Sequence, residues 1–315
     1  MERPLVVDIK RGAVDDGPGI RTVVFFKGCN LSCQWCHNPE SIDPGREIGF
    51  YPRECIACGD CEKACVRAAC RLENPARIER SVCNRCGLCA DACSAHALRS
   101  IGQYYSPDVL AHLLEKDLPL YRASGGGVTL SGGEATIHMD YLGAILRQLK
   151  TRSMHIVLQT NGFFSWPRFE KSILPYIDLV MMDVKLADPV SHREHTGASN
   201  ETILDNLHRM AKDHPSRLLP RIPLIPGFTA TIGNLEGLGS LFARLHIENH
   251  VFLPYNPTWF DKARAIGKGI EGALPSQIPS KADALSWKEA FDTAHGSGGP
   301  GSEQPQKGAM MNNWR

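Results

Sequence analysis

Twelve cysteines constrain this chain more than any other feature, because all of them fall between Cys29 and Cys93 and none follows in the rest of its 315 residues. A disulfide framework would spread its bridges across the fold and belongs to oxidising compartments. Cysteines bunched at short, fixed spacings point instead to metal ligation. No stretch approaches the roughly 20 apolar residues that span a bilayer, and residues 1–7 lack the basic segment and long apolar core of a signal peptide. The expectation is a cytoplasmic protein. Its 35 basic and 34 acidic residues nearly cancel, so neither nucleic acid nor a membrane surface is expected as a partner.

The cysteines divide into three groups. Cys29, Cys33 and Cys36 sit in Phe-Phe-Lys-Gly-Cys-Asn-Leu-Ser-Cys-Gln-Trp-Cys-His-Asn-Pro-Glu, just beyond a β-branched and aromatic run at 22–26 that reads as a buried strand. Three thiolates on one such loop can hold three irons of a 4Fe–4S cubane. The fourth iron then stays open to a substrate's amine and carboxylate. The alternative is a structural zinc site completed by a residue such as His37, although zinc pairs are usually spaced differently.

Cys55, Cys58, Cys61 and Cys65 follow the spacing Cys-x2-Cys-x2-Cys-x3-Cys, and Cys83, Cys86, Cys89 and Cys93 repeat it. This is the two-cluster bacterial ferredoxin pattern, in which the fourth cysteine of each run ligates the other cluster. One cluster is therefore expected on Cys55, Cys58, Cys61 and Cys93, the other on Cys83, Cys86, Cys89 and Cys65. Gly59 and Gly87 stand at equivalent places, where tight turns favour glycine. The proline that usually follows the fourth cysteine is absent, with Val66 and Ser94 in its place. Cys70 is left over and reads as a small buried hydrophobe. Two fully ligated clusters leave no iron for a substrate and suit electron relay, with a purely structural role as the alternative.

Beyond residue 103 the texture changes to alternating strands and helices. Strands are expected at 127–131, 154–159, 178–184, 217–224 and 250–254. Helices are expected at 107–117, 140–150, 165–174, 201–212 and 234–246. The alternation predicts an α/β fold of parallel βαβ units, open or closed into a barrel, with reactive groups at the C-terminal ends of its strands. Residues 1–47 begin this domain, 48–102 form an insert, 103–294 complete the domain, and 295–315 form a Gly/Ser/Pro/Gln-rich tail expected to be disordered.

Cys-x3-Cys-x-aromatic-Cys, with Trp35 in the aromatic slot, resembles the cluster motif of the radical S-adenosylmethionine superfamily. Asp16-Gly17-Pro18-Gly19-Ile20-Arg21-Thr22 and Cys36-His37-Asn38-Pro39-Glu40 narrow the likeness to the glycyl-radical-enzyme activating proteins, over residues from about 6 to about 257. The resemblance implies a partial (β/α)6 barrel with a ferredoxin-like insert, three 4Fe–4S clusters, and S-adenosylmethionine cleaved at the Cys29, Cys33 and Cys36 cluster. It also implies the residues around the cosubstrate. Gly132 and Gly133 resemble the segment that meets the methionine amine, with Glu134 behind them and Trp35 beside the cluster. Thr160 and Asn161 resemble a segment near the ribose and methionine. Asp183, Lys185 and His192 match further motif positions, and Arg221 resembles the arginine that meets the carboxylate. Two positions depart from the pattern: Gln159 replaces an aspartate that helps hold a monovalent cation in some relatives, and Asn256 replaces a histidine beside the adenine.

The activity implied by the resemblance is reductive cleavage of S-adenosylmethionine, followed by hydrogen abstraction from the Cα of one glycine on a large glycyl radical enzyme. Asp16–Arg21 is expected to touch that partner's loop. A flavodoxin- or ferredoxin-type electron donor and a monomeric state are also implied. Shorter activating enzymes, such as that of pyruvate formate-lyase, lack the insert. A dehydratase, decarboxylase or carbon–carbon-bond-forming enzyme is therefore the expected partner. Two rival readings remain, a radical S-adenosylmethionine enzyme acting on another peptide or a small molecule, and an electron carrier without catalysis. The open three-cysteine site and the Gly-Gly-Glu strand argue against the carrier.

Overall fold

The computed structural model of the protein describes residues 3–269 and 274–296. Ten strands form among them: β1 (Leu5–Ala13), β2 (Arg21–Phe26), β3 (Glu47–Phe50), β4 (Leu98–Ile101), β5 (Gln103–Tyr104), β6 (Gly127–Gly132), β7 (His155–Thr160), β8 (Leu179–Asp183), β9 (Leu218–Leu224) and β10 (Val251–Pro254). Eight make one sheet in the order β10-β9-β8-β7-β6-β2-β1-β5, while β3 and β4 pair by themselves. From β2 to β10 the pairing is parallel. A helix intervenes between each successive pair of these strands, and another at Trp259–Ala265 follows β10. The sequence-predicted strands appear within one residue of their expected ends and the helices within two. β1 was not anticipated; it flanks β2 and β5 antiparallel.

Side chains alternate across each parallel strand, and the two faces differ in chemistry. Val24, Phe26, Val128, Leu130, Ile156, Leu158, Val180, Met182, Ile222 and Leu224 join the main apolar core with Leu142, Ile145, Leu207 and Leu238 of the surrounding helices. The opposite face carries Arg21, Thr129, Ser131, Gln159, Asp183 and Arg221, and most of these side chains are buried. The helices are stopped and started locally. Ser106 caps Pro107–Glu115 by accepting from Val109 N, Asp188 caps Pro189–Thr196 through Ser191 N, and Thr231 caps Ile232–Arg244 through Asn234 N.

Residues between β3 and β4 have a small core of their own, built on Ile48, Phe50, Ile78, Ala97 and Leu98. The two cysteine runs fold alike. Gly59 (φ 80°) precedes the one-turn helix Asp60–Lys63, and Gly87 (φ 95°) precedes Leu88–Asp91. Ala57 and Arg85, and likewise Ala68 and His96, occupy equivalent places in the two runs, and all four adopt positive φ. Such conformations cost non-glycine residues energy, so their recurrence marks a constraint shared by both halves.

The tail expected from residue 295 begins differently. His295 closes the helix Lys281–His295, which a Ser280–Asp283 capping box starts, and its ring stacks on Phe291. Residues 297–315 lie outside the described residues.

Candidate functional site

The loop after β2 is fixed before any cysteine is reached. Lys27 is fully buried, and its Nζ donates to the carbonyls of Glu40 (2.8 Å) and Asp43 (2.7 Å) and to Glu47 Oε2 (2.6 Å). Gly28 N reaches Ser41 O at 2.7 Å and Cys29 N reaches Ile42 O at 3.0 Å, so the two ends of the cysteine loop are stitched together. From the far side, Ser32 N donates to Thr196 O (2.8 Å) and Gln34 N to His195 O (3.1 Å). Lys262 Nζ holds Asn38 Oδ1 at 2.7 Å.

Cys29, Cys33 and Cys36 sit within this frame. Burial pushes their thiols up to about 12, 11 and 12, so as thiolates they require a cation beside them. The Lys185 ammonium pulls Cys29 and Cys33 the other way. Leu31 N lies 3.4 Å from Cys29 Sγ, and the Asn161 amide points at the same sulfur from 3.8 Å. Hydrogen bonds to ligand sulfurs help set the potential of an iron–sulfur cluster. Among the described residues, no three His, Cys, Asp or Glu side chains converge as ligands of one metal ion would. Three thiols on one framed loop suit a cubane, which distributes its thiolates over separate irons.

The remaining sequence-predicted residues gather at the C-terminal ends of neighbouring strands. Gly132 and Gly133 end β6 in direct contact with the cysteine loop. A Cβ on Gly132 would lie 2.1 Å from Phe26 O, and one on Gly133 would lie 2.3 Å from Gly28 O and 2.4 Å from Ser41 O. Gly133 N and Glu134 N donate to Phe26 O (2.9 Å) and Gly28 O (2.8 Å). The glycines are therefore demanded by backbone packing, whatever ligand they also meet. Gly133→Ala should cost about 1–3 kcal/mol or more through overpacking against backbone, with iron lost from the three-cysteine loop before the sheet unfolds. Iron analysis beside a thermal midpoint checks this; a variant with full iron and an unchanged midpoint would contradict it.

Glu134 is 1% exposed, and its carboxylate is saturated. It accepts from Thr136 N (3.1 Å), Thr136 Oγ1 (2.7 Å), Thr160 Oγ1 (2.8 Å) and Asn161 N (2.6 Å). Burial raises its carboxyl above the usual range against these donors. Glu134 thus locks the end of β6 to the end of β7. Asn161 also donates to Asn30 Oδ1 at 2.9 Å, coupling β7 to the cysteine loop.

Asp183 and Arg221 are register partners on β8 and β9. Asp183 Oδ1 receives Arg221 Nε at 2.8 Å and NH2 at 2.7 Å, while Oδ2 receives Lys185 Nζ at 3.2 Å. Burial pushes the Asp183 carboxyl upward, but Arg221 and Lys185 outweigh it and hold it below the usual range. Burial likewise lowers Lys185, but Asp183 and then Cys33 outweigh it and raise its ammonium above the ordinary value. The result is a buried cationic corner whose Lys185 charge acts on Cys29 and Cys33, suited to a carboxylate.

Other expected residues have local duties. Trp35 is buried on Phe228 (5.4 Å between rings), among Leu186, Tyr255 and Trp259. His192 Nδ1 lies 2.6 Å from Ala198 O and 2.9 Å from Thr196 Oγ1, which closes its own helix end. Asn256 Oδ1 accepts from Thr258 N at 3.0 Å in a turn after β10. Gln159 accepts from Ser131 Oγ at 2.7 Å and donates to Asp16 Oδ1 at 3.0 Å.

Sequence reading missed what holds the Asp16–Arg21 segment. Arg21 is fully buried, and it donates to Thr129 Oγ1 (2.6 Å), Pro18 O (2.8 Å) and Val128 O (2.6 Å). Arg21 is therefore an internal strut. Of that segment, Pro18 is exposed and Asp16 is half-buried. Lys27 was missed as well. Its signal was present, because a lysine between two phenylalanines and a glycine is buried only when fully paired.

In the second and third groups, Cys55, Cys58, Cys61 and Cys93 line one cavity together with Phe50, Leu72 and Leu98. This is the ligand set that the crossed ferredoxin pattern requires. Ala69 N (3.2 Å from Cys65 Sγ), Arg85 N (3.4 Å from Cys83 Sγ) and Leu98 N (3.5 Å from Cys93 Sγ) point at cysteine sulfurs of these runs.

A family profile described as a 4Fe-4S single cluster domain matches residues 15–204. The indoleacetate decarboxylase activating enzyme of Tractidigestivibacter scatoligenes is 34% identical over 93% of this chain and 96% of its own length. The isethionate sulfite-lyase activating enzyme of Oleidesulfovibrio alaskensis is 35% identical over 89% and 94%. The chain belongs to the glycyl-radical-enzyme activating enzymes. The benzylsuccinate synthase activating enzyme of Thauera aromatica, 35% identical over 75% of this chain and 73% of its own length, is a further relative of this activating enzyme. Among solved structures, a domain of the pyruvate-formate lyase-activating enzyme from Bacteroides vulgatus aligns with a TM-score of 0.43 at 24% identity, over 54% of this chain and 95% of that one.

Proposed function

We propose that this activating enzyme cleaves S-adenosylmethionine reductively at an iron–sulfur cluster held by Cys29, Cys33 and Cys36, and installs a radical on a glycine Cα of a partner glycyl radical enzyme. The observation that carries this reading is a loop of three half-buried cysteines, two of which, Cys29 and Cys33, feel the Lys185 charge of the Lys185–Asp183–Arg221 corner at the strand ends. An open iron beside a cationic corner suits a ligand that presents an amine and a carboxylate. A cluster held there by Cys29, Cys33 and Cys36 would supply the one-electron reduction that cleavage of a sulfonium needs. The protein's own residues do the rest: Arg221 and Lys185 receive the carboxylate, the β6 glycines let the backbone approach, and Glu134 keeps β6 and β7 in place.

The strand order supports a partial (β/α)6 barrel. Strands added in chain order with right-handed crossovers put every helix on one face, which leaves the polar inner face for chemistry. Residues 48–102 are proposed as the insert, carrying two further 4Fe–4S clusters on Cys55, Cys58, Cys61 and Cys93 and on Cys83, Cys86, Cys89 and Cys65. That gives three clusters in all, fed by a flavodoxin- or ferredoxin-type donor in the cytoplasm, with the chain acting as a monomer. Trp35, Thr160, Asn161, His192 and Asn256 complete the proposed surroundings of the cosubstrate. The polar atoms of His192 and Asn256 also serve local turns.

Glycine suits the final step because no side chain blocks its Cα and flanking amides stabilise the radical. In the test, the reduced protein is incubated anaerobically with S-adenosylmethionine, with and without a candidate partner. 5′-Deoxyadenosine together with a glycyl doublet in electron paramagnetic resonance, seen only when the partner is present, is the expected result. 5′-Deoxyadenosine without a doublet on any partner would favour another substrate, and its absence with all clusters intact would overturn the reading.

A further inference from the structure

The two ferredoxin-like sites are not equivalent with respect to the three-cysteine loop. A cleft of about 290 Å³ separates the insert from the main domain, and both Pro39, three residues past Cys36, and Cys83 line it. Arg85, beside Cys86, grips Asp43 Oδ2 across that boundary at 2.7 Å. Arg80 spans it too, donating to Ile48 O at 2.6 Å and to Ala265 O at 3.0 Å. On the opposite wall stands Lys268, whose charge acts on Cys36. The second cysteine run therefore faces the catalytic loop.

The cavity lined by Cys55, Cys58, Cys61 and Cys93 has a different setting. All of its walls come from the insert, between Phe50 and Leu98, and no strand or loop of the main domain contributes. Ile56, between Cys55 and Cys58, is 67% exposed. Cys86 reaches the surface as well as Cys58, so exposure does not separate the two sites; their walls do. Between them lies Cys70, fully buried in one packed cluster with Cys89 of one run and Cys61 of the other. The two sites abut at that thiol.

We infer that the insert is a series wire. Electrons from a low-potential one-electron protein donor enter at the Cys55, Cys58, Cys61 and Cys93 site, pass across Cys70 to the Cys65, Cys83, Cys86 and Cys89 site, and leave through the Arg85–Asp43 contact for the three-cysteine loop. Each hop oxidises one site and reduces the next by one electron, and the donor is oxidised once per passage. This rests on the proposed reading that eleven cysteines hold three clusters.

The test uses the full-length protein as Cys58→Ala and Cys86→Ala, each checked by iron analysis for loss of a single cluster, reduced without S-adenosylmethionine. Dipolar broadening of the three-cysteine site's paramagnetic signal falls steeply with distance. It should persist in Cys58→Ala and collapse in Cys86→Ala. The reverse pattern, or equal broadening in both, overturns the order. Should either cysteine variant lose both insert clusters, two surface variants decide. Ile56→Arg should slow reduction by a reduced flavodoxin several-fold, while Leu88→Arg, beside Cys89 and 44% exposed, should leave it unchanged. The opposite outcome, or no effect of Ile56→Arg, overturns the proposal. Because broadening is read without S-adenosylmethionine, failure of the radical reading and failure of the wire are distinguishable.

Discussion

Cys33→Ala should abolish 5′-deoxyadenosine formation, to background, while removing the iron of one cluster and leaving the insert's iron in place. Cys33 is the middle thiol of the loop, and burial pushes it up to about 11. A neighbouring cation favours its anion, as Lys185 already does and cluster iron would do more strongly. Without that thiolate the cubane loses one of its three protein ligands, and Glu134 and His192 are held by other partners and do not replace it. The fold should survive, because the loop is held by Lys27, by the Gly28 and Cys29 amides, and by Thr196 independently of the sulfur. Iron analysis, circular dichroism and product chromatography together check the prediction. Retained cleavage at full iron content would show that Cys33 is not a ligand.

The second large effect concerns stability. Asp183→Asn should destabilise the protein by about 3–5 kcal/mol, the usual cost of stranding a buried charge by removing its partner. Two cations depend on this carboxylate, and the side chains of Lys185 and Arg221 are 10% and 11% exposed. An amide of the same shape neutralises neither. Asp183's carboxyl is depressed in the folded protein, so its contribution is complete above the ordinary carboxylate value and is lost as pH falls through the depressed one. The gap between wild type and variant should therefore be constant at neutral pH and narrow only below about pH 4. Urea midpoints of the two proteins at several pH values measure it. A gap that closes near neutrality, or a loss below about 1 kcal/mol as for an exposed pair, would contradict the assignment.

Much of this was legible in the sequence because its signals were periodic. The parallel strands and the larger helices announced themselves by apolar spacing, and the duplicated cysteine run carried its own geometry. β1 was not legible, since Leu5-Val-Val-Asp-Ile-Lys-Arg-Gly-Ala mixes exposed and buried positions at an edge and its order comes from pairing with β2. The short helix Pro189–Thr196 has little apolar face and is set by Asp188 and Gly197 at its ends.

Side-chain partners were harder to read. Val128–Leu130 looks like one buried run, yet Thr129 faces Arg21 while its neighbours face the helices. The same ambiguity concealed Gln159. Its sequence departs from the family pattern, but only the structure places its amide on Asp16. Cys70 was read correctly as buried, but its place beside Cys61 and Cys89 accompanies the bridge between Cys70 and Ile78, which no local pattern announces.

Isotope transfer tests the central claim most directly. A glycyl radical enzyme encoded beside this chain would be prepared with glycine deuterated at both Cα positions and mixed with the reduced protein and S-adenosylmethionine. One deuterium is expected in the 5′-deoxyadenosine, in step with a glycyl doublet on the partner. 5′-Deoxyadenosine free of deuterium, formed while the doublet appears, would contradict hydrogen abstraction from that glycine by this site.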